Sequence, residues 1–252
     1  MQYKEYEPNR LLSPYIDTYW MGGSFGGEGK FNKILPDGCV DIIFSFDKFD
    51  KFDKAKSTCF TKIVGTMTTF LEISYPQTVE MFGIRFKPAG ITAFTRVPVE
   101  EFTDRDVELA LVDTLFDKSF FETLPEKQSV EEMIRHTDNY LINYLPCLYH
   151  QEKQIIRAVD LICFYRGQLS SAKVASEVCL CQRHFERKFK SAIGISPKTF
   201  AKIHRFKYAL RYLRNNPDQD LTSVAIECGY YDHTHLIKDF KTLSGNTPTA
   251  LR

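Results

Sequence analysis

The 252-residue sequence lacks any long run of apolar residues. Its apolar stretches, such as those on either side of Asp41, stay far below the roughly 18 to 20 residues that a membrane-spanning helix needs. The first seven residues include two acids and no apolar segment of the kind that a signal peptide contains. These absences argue against a membrane protein and lead us to expect a cytoplasmic one.

The sequence also lacks the patterns of disulfide, metal and catalytic sites. Its seven cysteines include no Cys-x-x-Cys pair, and a cytoplasmic protein keeps its thiols reduced. The first histidine is His136, so the first half has no histidines for a metal centre. We therefore expect no disulfide framework, metal site, cofactor or enzymatic activity.

Charge is distributed unevenly along the chain. Residues 1–149 contain 16 basic and 23 acidic residues, a net charge of −7, whereas residues 150–252 contain 17 basic and 9 acidic residues, a net charge of +8. A basic segment of this size suits a polyanionic partner. We expect an acidic domain at residues 1–146 and a basic domain at residues 150–252, joined by a linker around Pro146–Glu152.

The periodicity of the apolar residues also changes along the chain. Strand-like alternation marks three early segments, residues 39–46, 61–67 and 78–86. Helical patterns follow Pro88 and include Val107–Phe121 and Ser129–Leu145. This order predicts an α+β N-terminal domain, a small barrel-like or sandwich-like sheet followed by helices. Every segment after Glu152 has helical spacing, so the C-terminal domain is expected to be all-α.

The C-terminal half contains one pattern twice. Val174-Ala175-Ser176-Glu177 corresponds to Val224-Ala225-Ile226-Glu227 at an offset of 50 residues. At an offset of 51 residues, Phe185, Phe189, Gly194 and Pro197 correspond to Leu236, Phe240, Gly245 and Pro248. Each copy predicts a short helix, a tight turn and a second helix with one apolar face. This is the helix-turn-helix arrangement, whose second helix enters the major groove of DNA.

A long helix, Pro197–Asn216, is predicted between the two copies. A helix of about 20 residues is about 30 Å long, which is close to the 34 to 36 Å between successive major-groove faces on one side of DNA. One chain is therefore expected to occupy two adjacent grooves of double-stranded DNA.

The outward faces of the two second helices are polar and largely basic. They contain Gln182, Arg183, Glu186, Arg187 and Lys190 in the first copy and His233, Thr234, Ile237, Lys238 and Lys241 in the second. The long helix has its own row of exposed cations, including Lys202, Arg205 and Arg211. We expect DNA phosphate contacts from Gln182, Lys190, Lys202, Arg205, Arg211, His235 and Lys241.

Over about residues 150–252 the sequence resembles the AraC-type (AraC/XylS) transcription regulators. The resemblance is found in Arg183-His184-Phe185-Glu186-Arg187-Lys188-Phe189 with Gly194-Ile195-Ser196-Pro197, and in Ala225-Ile226-Glu227-Cys228-Gly229-Tyr230 with His235-Leu236-Ile237-Lys238-Asp239-Phe240 and Gly245-Asn246-Thr247-Pro248. It implies a bihelical DNA-binding domain and RNA polymerase as a partner. It also implies base contacts by Arg183, Glu186, Arg187, His233, Thr234, Ile237 and Lys238. The sequence departs from the family pattern at Cys181, where a serine is common, and at Lys238, where arginine is common.

The N-terminal half resembles, more loosely, a sensor-type domain attached to such regulators. One interpretation of its charged residues is structural, with Pro36-Asp37-Gly38 as a hairpin turn and Asp41 paired with Arg85. The alternative is a small-molecule effector pocket lined by Tyr19, Trp20, Asp41 and Arg85. The N-terminal domain could instead serve only as a surface for homodimerisation or a protein partner, or form an enzyme domain fused to the DNA-binding module.

A redox role for Cys179 and Cys181 is a further hypothesis.

Overall fold

The computed structural model describes residues 3–24, 32–47, 59–73, 79–109 and 115–252. Within these residues the strands are β1 (Lys4–Tyr6), β2 (Ile16–Ser24), β3 (Asn32–Ile34), β4 (Val40–Asp47), β5 (Cys59–Val64), β6 (Leu71–Ile73), β7 (Val79–Phe86) and β8 (Asp106–Glu108). The helices are α1 (Lys118–Thr123), α2 (Val130–Tyr144), α3 (Lys153–Phe164), α4 (Ser171–Glu177), α5 (Gln182–Ile193), α6 (Pro197–Asn215), α7 (Leu221–Glu227) and α8 (His233–Ser244). Short 3₁₀ helices cover Gly90–Ala93, Val99–Phe102, Leu145–Cys147 and Pro248–Leu251.

The N-terminal domain is built on a six-stranded sheet in the order β1-β2-β7-β4-β5-β8, with β3 and β6 forming a separate pair. Alternate residues of β4 are buried from Val40 to Phe46, and Phe44 lies opposite Phe82 of β7. The Phe44 ring also contacts Phe120 of α1, with 5.7 Å between ring centroids. The prediction of a sheet followed by helices is confirmed.

The helical prediction for Val107–Phe121 is wrong in its first part. Val107 lies in β8 and pairs with Ile63 of β5, because pairing with a distant strand outweighs the local helical spacing. Residues 110–114 lie outside the described residues. Helix α1 begins at Lys118, where the Asp117 side chain accepts a hydrogen bond from the Phe120 N–H at 2.9 Å.

The turn at Pro36-Asp37-Gly38 is also not a hairpin turn. It carries the chain from β3, which pairs with β6, to β4, which pairs with β5 and β7. Asp37 Oδ1 accepts a hydrogen bond from the Cys39 N–H at 3.0 Å, and Gly38 has a φ of +85°. The turn therefore joins two separate sheets.

The C-terminal domain consists of the two helix-turn-helix units, α4–α5 and α7–α8, joined by α6 and packed against α3. Helices α5 and α8 are called the recognition helices below. The predicted all-α domain and its long connecting helix are confirmed. Side chains cap three of its helices: Ser170 caps α4, Asp220 caps α7 and Asp232 caps α8.

The buried apolar residues form two clusters, one per half of the chain. The first extends from Leu12 to Leu141 and the second is built mainly from residues between Ile155 and Leu243. None of the helices in the described ranges combines the length and hydropathy that crossing a membrane requires.

Candidate nucleic-acid interface

Helix α5 is anchored by two aromatic side chains on one face. Phe185 and Phe189 are fully buried, and the Phe189 ring lies 5.5 Å from Phe200 of α6, centroid to centroid. The five predicted polar residues of the other face, Gln182, Arg183, Glu186, Arg187 and Lys190, are all exposed. The i, i+4 spacing of the two phenylalanines thus turns the charged face of α5 to solvent.

The charged groups of α5 differ in whether they have partners. Glu186 Oε1 accepts a hydrogen bond from Gln182 Nε2 at 3.0 Å. Lys190 Nζ lies 3.1 Å from a carboxylate oxygen of Glu100 in the N-terminal domain. Among the described residues, Arg183 and Arg187 have no acidic partner, so both guanidinium groups are available to an external acceptor such as guanine O6 and N7.

Helix α8 presents the second polar face. Its first turn is fixed by Asp232, whose side chain accepts a hydrogen bond from the His235 N–H at 2.7 Å. Of the predicted base-contact residues, His233, Thr234 and Lys238 are exposed and Ile237 is half-buried. Lys241, a predicted phosphate contact, is exposed. The His235 ring packs edge-on against Tyr230, 5.4 Å between centroids.

Two cations of α6 that we expected at phosphates bind a buried acid within the protein. Asp239 of α8 is only 3% exposed, and its carboxylate lies 3.4 Å from Lys202 Nζ and 3.2 Å from Arg205 Nη2. The Arg205 guanidinium also stacks over the Tyr230 ring at 4.7 Å. These contacts tie α6 to α8. Sequence reasoning missed this role for Asp239, although an acid beside Phe240 in the apolar stripe of α8 was a signal for it.

The two helix-turn-helix turns have the same backbone geometry. Cys179 and Gly229 both adopt left-handed conformations, with φ of +56° and +75°. The following residue of each copy donates its N–H to an equivalent carbonyl, Leu180 to Ala175 at 3.0 Å and Tyr230 to Ala225 at 2.8 Å. The side chain of Cys181, which precedes α5, makes no capping hydrogen bond. Cys179 and Cys181 are exposed free thiols, and their redox role stays a hypothesis.

The four residues predicted to line an effector pocket are engaged with one another or with neighbours. Arg85 Nε lies 3.3 Å from Asp41 Oδ1, and Trp20 Nε1 donates a hydrogen bond to the same oxygen at 2.7 Å. Burial raises the pKa of Asp41 to about 6, against the opposing effect of the Arg85 guanidinium. Tyr19 is fully buried and donates to Asp138 instead, at 2.8 Å. The geometry therefore shows the structural pairing of Asp41 with Arg85.

A separate cleft of about 480 Å³ opens between the N-terminal domain, the linker and α5. Its acids already have partners, since Glu152 pairs with Lys188 at 2.7 Å and Glu100 with Lys190. The other cations of its wall are Arg96, whose guanidinium lies over the Tyr149 ring, and Arg187. Sequence reasoning missed this cleft because three separate segments form it.

No cluster of metal-ligating side chains occurs in the part of the chain that the structure describes.

Comparison with known families identifies the basic half. Residues 174–252 match the profile of a helix-turn-helix domain. This region is an AraC-type helix-turn-helix domain. The resemblance stated from the sequence is confirmed for this region, and a domain of this type supports a DNA-binding transcription regulator. Residues 4–108 match a domain of unknown function, DUF6597, which assigns the N-terminal half to a family without giving it an activity.

Solved structures of similar proteins are also AraC-type regulators or ToxT. ToxT from Vibrio cholerae is 8% identical, with 91% of this chain and 97% of that chain covered and a TM-score of 0.45. An AraC-type regulator from Chromobacterium violaceum is 23% identical over 40% of this chain and 89% of that chain, with a TM-score of 0.37. No curated protein matches the sequence.

Proposed function

We propose that this AraC-type regulator reads two adjacent major grooves of DNA, one with α5 and one with α8. The observation that supports this most directly is the duplicated unit, in which each recognition helix buries an apolar face and leaves its polar face exposed. Helix α6 has 19 residues and is therefore about 29 Å long. That length approaches the spacing of successive groove faces on one side of the duplex.

The contact residues divide into two classes. Base contacts are proposed for Arg183, Glu186, Arg187, His233, Thr234, Ile237 and Lys238. Phosphate contacts are proposed for Gln182, Lys190, Lys202, Arg205, Arg211, His235 and Lys241. Arg211 and Lys241 are exposed and meet a phosphate most readily, whereas Lys202 and Arg205 already bind Asp239 and Lys190 binds Glu100. We expect these three paired cations to contribute least to binding.

Selection of bound duplexes from a random-sequence pool, with purified full-length protein, tests the two-groove proposal. We expect two conserved half-sites about one helical turn apart. Replacing Arg187 by Ala should then weaken binding by about 1 to 3 kcal/mol and relax the preference at one base pair. Arg10→Ala, at an exposed position of the N-terminal domain, is the matched control. A uniform loss on all sequences would make Arg187 a phosphate contact, and a single selected half-site would contradict two-groove reading.

We also propose that the N-terminal domain controls DNA binding through its contacts with α5. The cleft supports this, because Arg187 belongs both to its wall and to the proposed reading face. A small organic anion bound there would draw the Arg187 guanidinium away from DNA. Measuring the DNA affinity of the full chain with and without a panel of aliphatic and aromatic carboxylates separates such control from a domain that only dimerises or binds a protein. RNA polymerase as a partner rests on the family resemblance alone.

A further inference from the structure

Both recognition helices end against the N-terminal domain. Thr66 Oγ1 donates a hydrogen bond to the carbonyl oxygen of Ile193, the last residue of α5, at 2.6 Å. Lys33 Nζ donates to the carbonyl oxygen of Ser244, the last residue of α8, at 3.0 Å. Ile193 and Ser244 are 51 residues apart, so they are equivalent positions of the two repeats. The N-terminal domain therefore binds the same atom of each copy.

A second donor reaches each of these helix ends. Thr103 Oγ1 donates to the Gly194 carbonyl at 2.6 Å, and Thr69 Oγ1 donates to the Thr242 carbonyl at 2.7 Å. The last four carbonyls of an α-helix have no partner within the helix. The N-terminal domain thus supplies hydrogen bonds that neither recognition helix can make for itself.

The two contacts are also close-packed. Each recognition helix is followed by a glycine in the left-handed conformation, Gly194 with φ of +91° and Gly245 with φ of +71°. A Cβ at Gly194 would lie 2.9 Å from Thr103 Oγ1, and a Cβ at Gly245 would lie 2.7 Å from the Phe70 ring. There is no room for a side chain at either junction.

One short loop reaches both helix ends. Thr66, which binds α5, and Thr69, which binds α8, are three residues apart in the segment after β5. Asp104 fixes the middle of this loop, because its carboxylate accepts hydrogen bonds from both the Thr68 N–H and the Thr68 hydroxyl at 2.7 Å. A loop held in this way keeps the two helix ends at one separation.

We infer that Thr66, Thr69, Thr103 and Lys33 are positioning residues that set the separation of the recognition helices, and hence the spacing of the DNA half-sites that the protein accepts. This inference rests on the proposed two-groove reading. The contacts lie at the C-terminal ends of α5 and α8, whereas base edges are read from the N-terminal part of a recognition helix. The N-terminal domain can therefore contact the ends of α5 and α8 while the two helices bind DNA.

The test compares full-length wild-type protein with the double variant Thr66→Val and Thr69→Val. Valine keeps the shape of threonine and removes the hydroxyl donor. Thr123→Val is the matched control, since its hydroxyl donates to the Ser119 carbonyl within α1. Each protein is titrated with the selected duplex, with the same duplex carrying two extra base pairs between the half-sites, and with one half-site alone.

Two extra base pairs rotate one half-site by about 70° relative to the other. We expect the wild type and the Thr123→Val control to lose at least about tenfold in affinity on this duplex. The double variant should bind the single half-site as the wild type does, yet lose only about threefold or less on the lengthened duplex. The inference is supported if the double variant tolerates the changed spacing of the half-sites while its affinity for a single half-site equals that of the wild type.

Two other results overturn the inference in distinguishable ways. If the double variant keeps the full wild-type penalty on the lengthened duplex, the threonines do not set the spacing, while two-groove reading stands. If the wild type itself shows no spacing penalty, the proposed function fails and the inference fails with it. Should the buried Thr66 change prevent folding, as circular dichroism would show, Thr69→Val with Lys33→Met gives the same comparison at α8 alone.

Discussion

At the scale of single residues, the turn of the first helix-turn-helix unit has a non-glycine residue in a backbone conformation that favours glycine. Cys179 adopts a φ of +56°, where the second unit has Gly229 at +75°. A left-handed conformation costs a residue with a Cβ atom roughly 1 to 2 kcal/mol. Glycine removes this cost but adds freedom to the unfolded chain, which offsets part of the gain.

Replacing Cys179 by Gly should therefore raise the free energy of unfolding by about 0.5 to 1 kcal/mol. The converse change, Gly229→Ala, should lower it, because a Cβ there would lie 2.7 Å from the Gln168 side chain. Chemical denaturation of the full-length variants measures both. A Cys179→Gly protein no more stable than the wild type would show that this turn is unstrained.

At the scale of elements, the contact between α6 and α8 depends on one buried carboxylate. Asp239 has Lys202 and Arg205 as partners, and both of those side chains are themselves largely buried. Removing one partner of a buried ion pair leaves the other charges uncompensated, which costs about 3 to 5 kcal/mol.

We expect Asp239→Asn to lower the free energy of unfolding by about 3 kcal/mol. The control is Glu177→Gln, which removes the partner of Lys173 in an exposed pair within α4, and it should change stability little. Thermal and urea unfolding of full-length proteins provide the comparison. Equal stabilities for the two variants would mean that Asp239 contributes no more than a surface charge.

The same elements show what the sequence could and could not predict. Helices α5 and α8 were predictable because their apolar stripes and their terminal Gly194 and Gly245 are local signals. Strand β8 was not, because its conformation is set by pairing with β5. The contacts of Asp239 and of Thr66 were equally out of reach, since they join residues 34 or more positions apart in the chain. The exposure of the polar faces of α5 and α8 was predicted, whereas the acidic partners of Lys190, Lys202 and Arg205 were not.

At the scale of the whole molecule, His204 lies where α6 meets the N-terminal domain. Its Nε2 is 3.8 Å from Cys163 Sγ, and a Cβ added at Gly38 would lie 3.6 Å from the same nitrogen. Burial lowers the pKa of His204 to about 4, helped by the charges of Lys207 and Arg211 on the same helix and opposed by Asp37 across the junction. An unfolded chain binds the same proton with a pKa of about 6.5.

The folded protein should therefore lose stability as the pH falls from about 6.5 to about 4, because the unfolded chain takes up a proton that folded His204 does not. Above pH 6.5, His204 should have no effect on how the free energy of unfolding changes with pH. Urea unfolding of wild type and His204→Gln at pH 7 and pH 5 measures it, since the difference between the two proteins cancels the other titrating groups. Parallel stability profiles for the two proteins would contradict the expectation.

The docking of the N-terminal domain on Ile193, Gly194, Thr242 and Ser244 uses main-chain oxygen atoms only. Such atoms are the same whatever amino acids occupy the outward faces of α5 and α8. Substitutions at the proposed base-contact residues of α5 and α8 can thus accumulate without weakening these four attachments. Lys190 is different, because it pairs with Glu100 of the N-terminal domain. The proposed target sequence can therefore change while these main-chain contacts between the two halves of the chain stay the same.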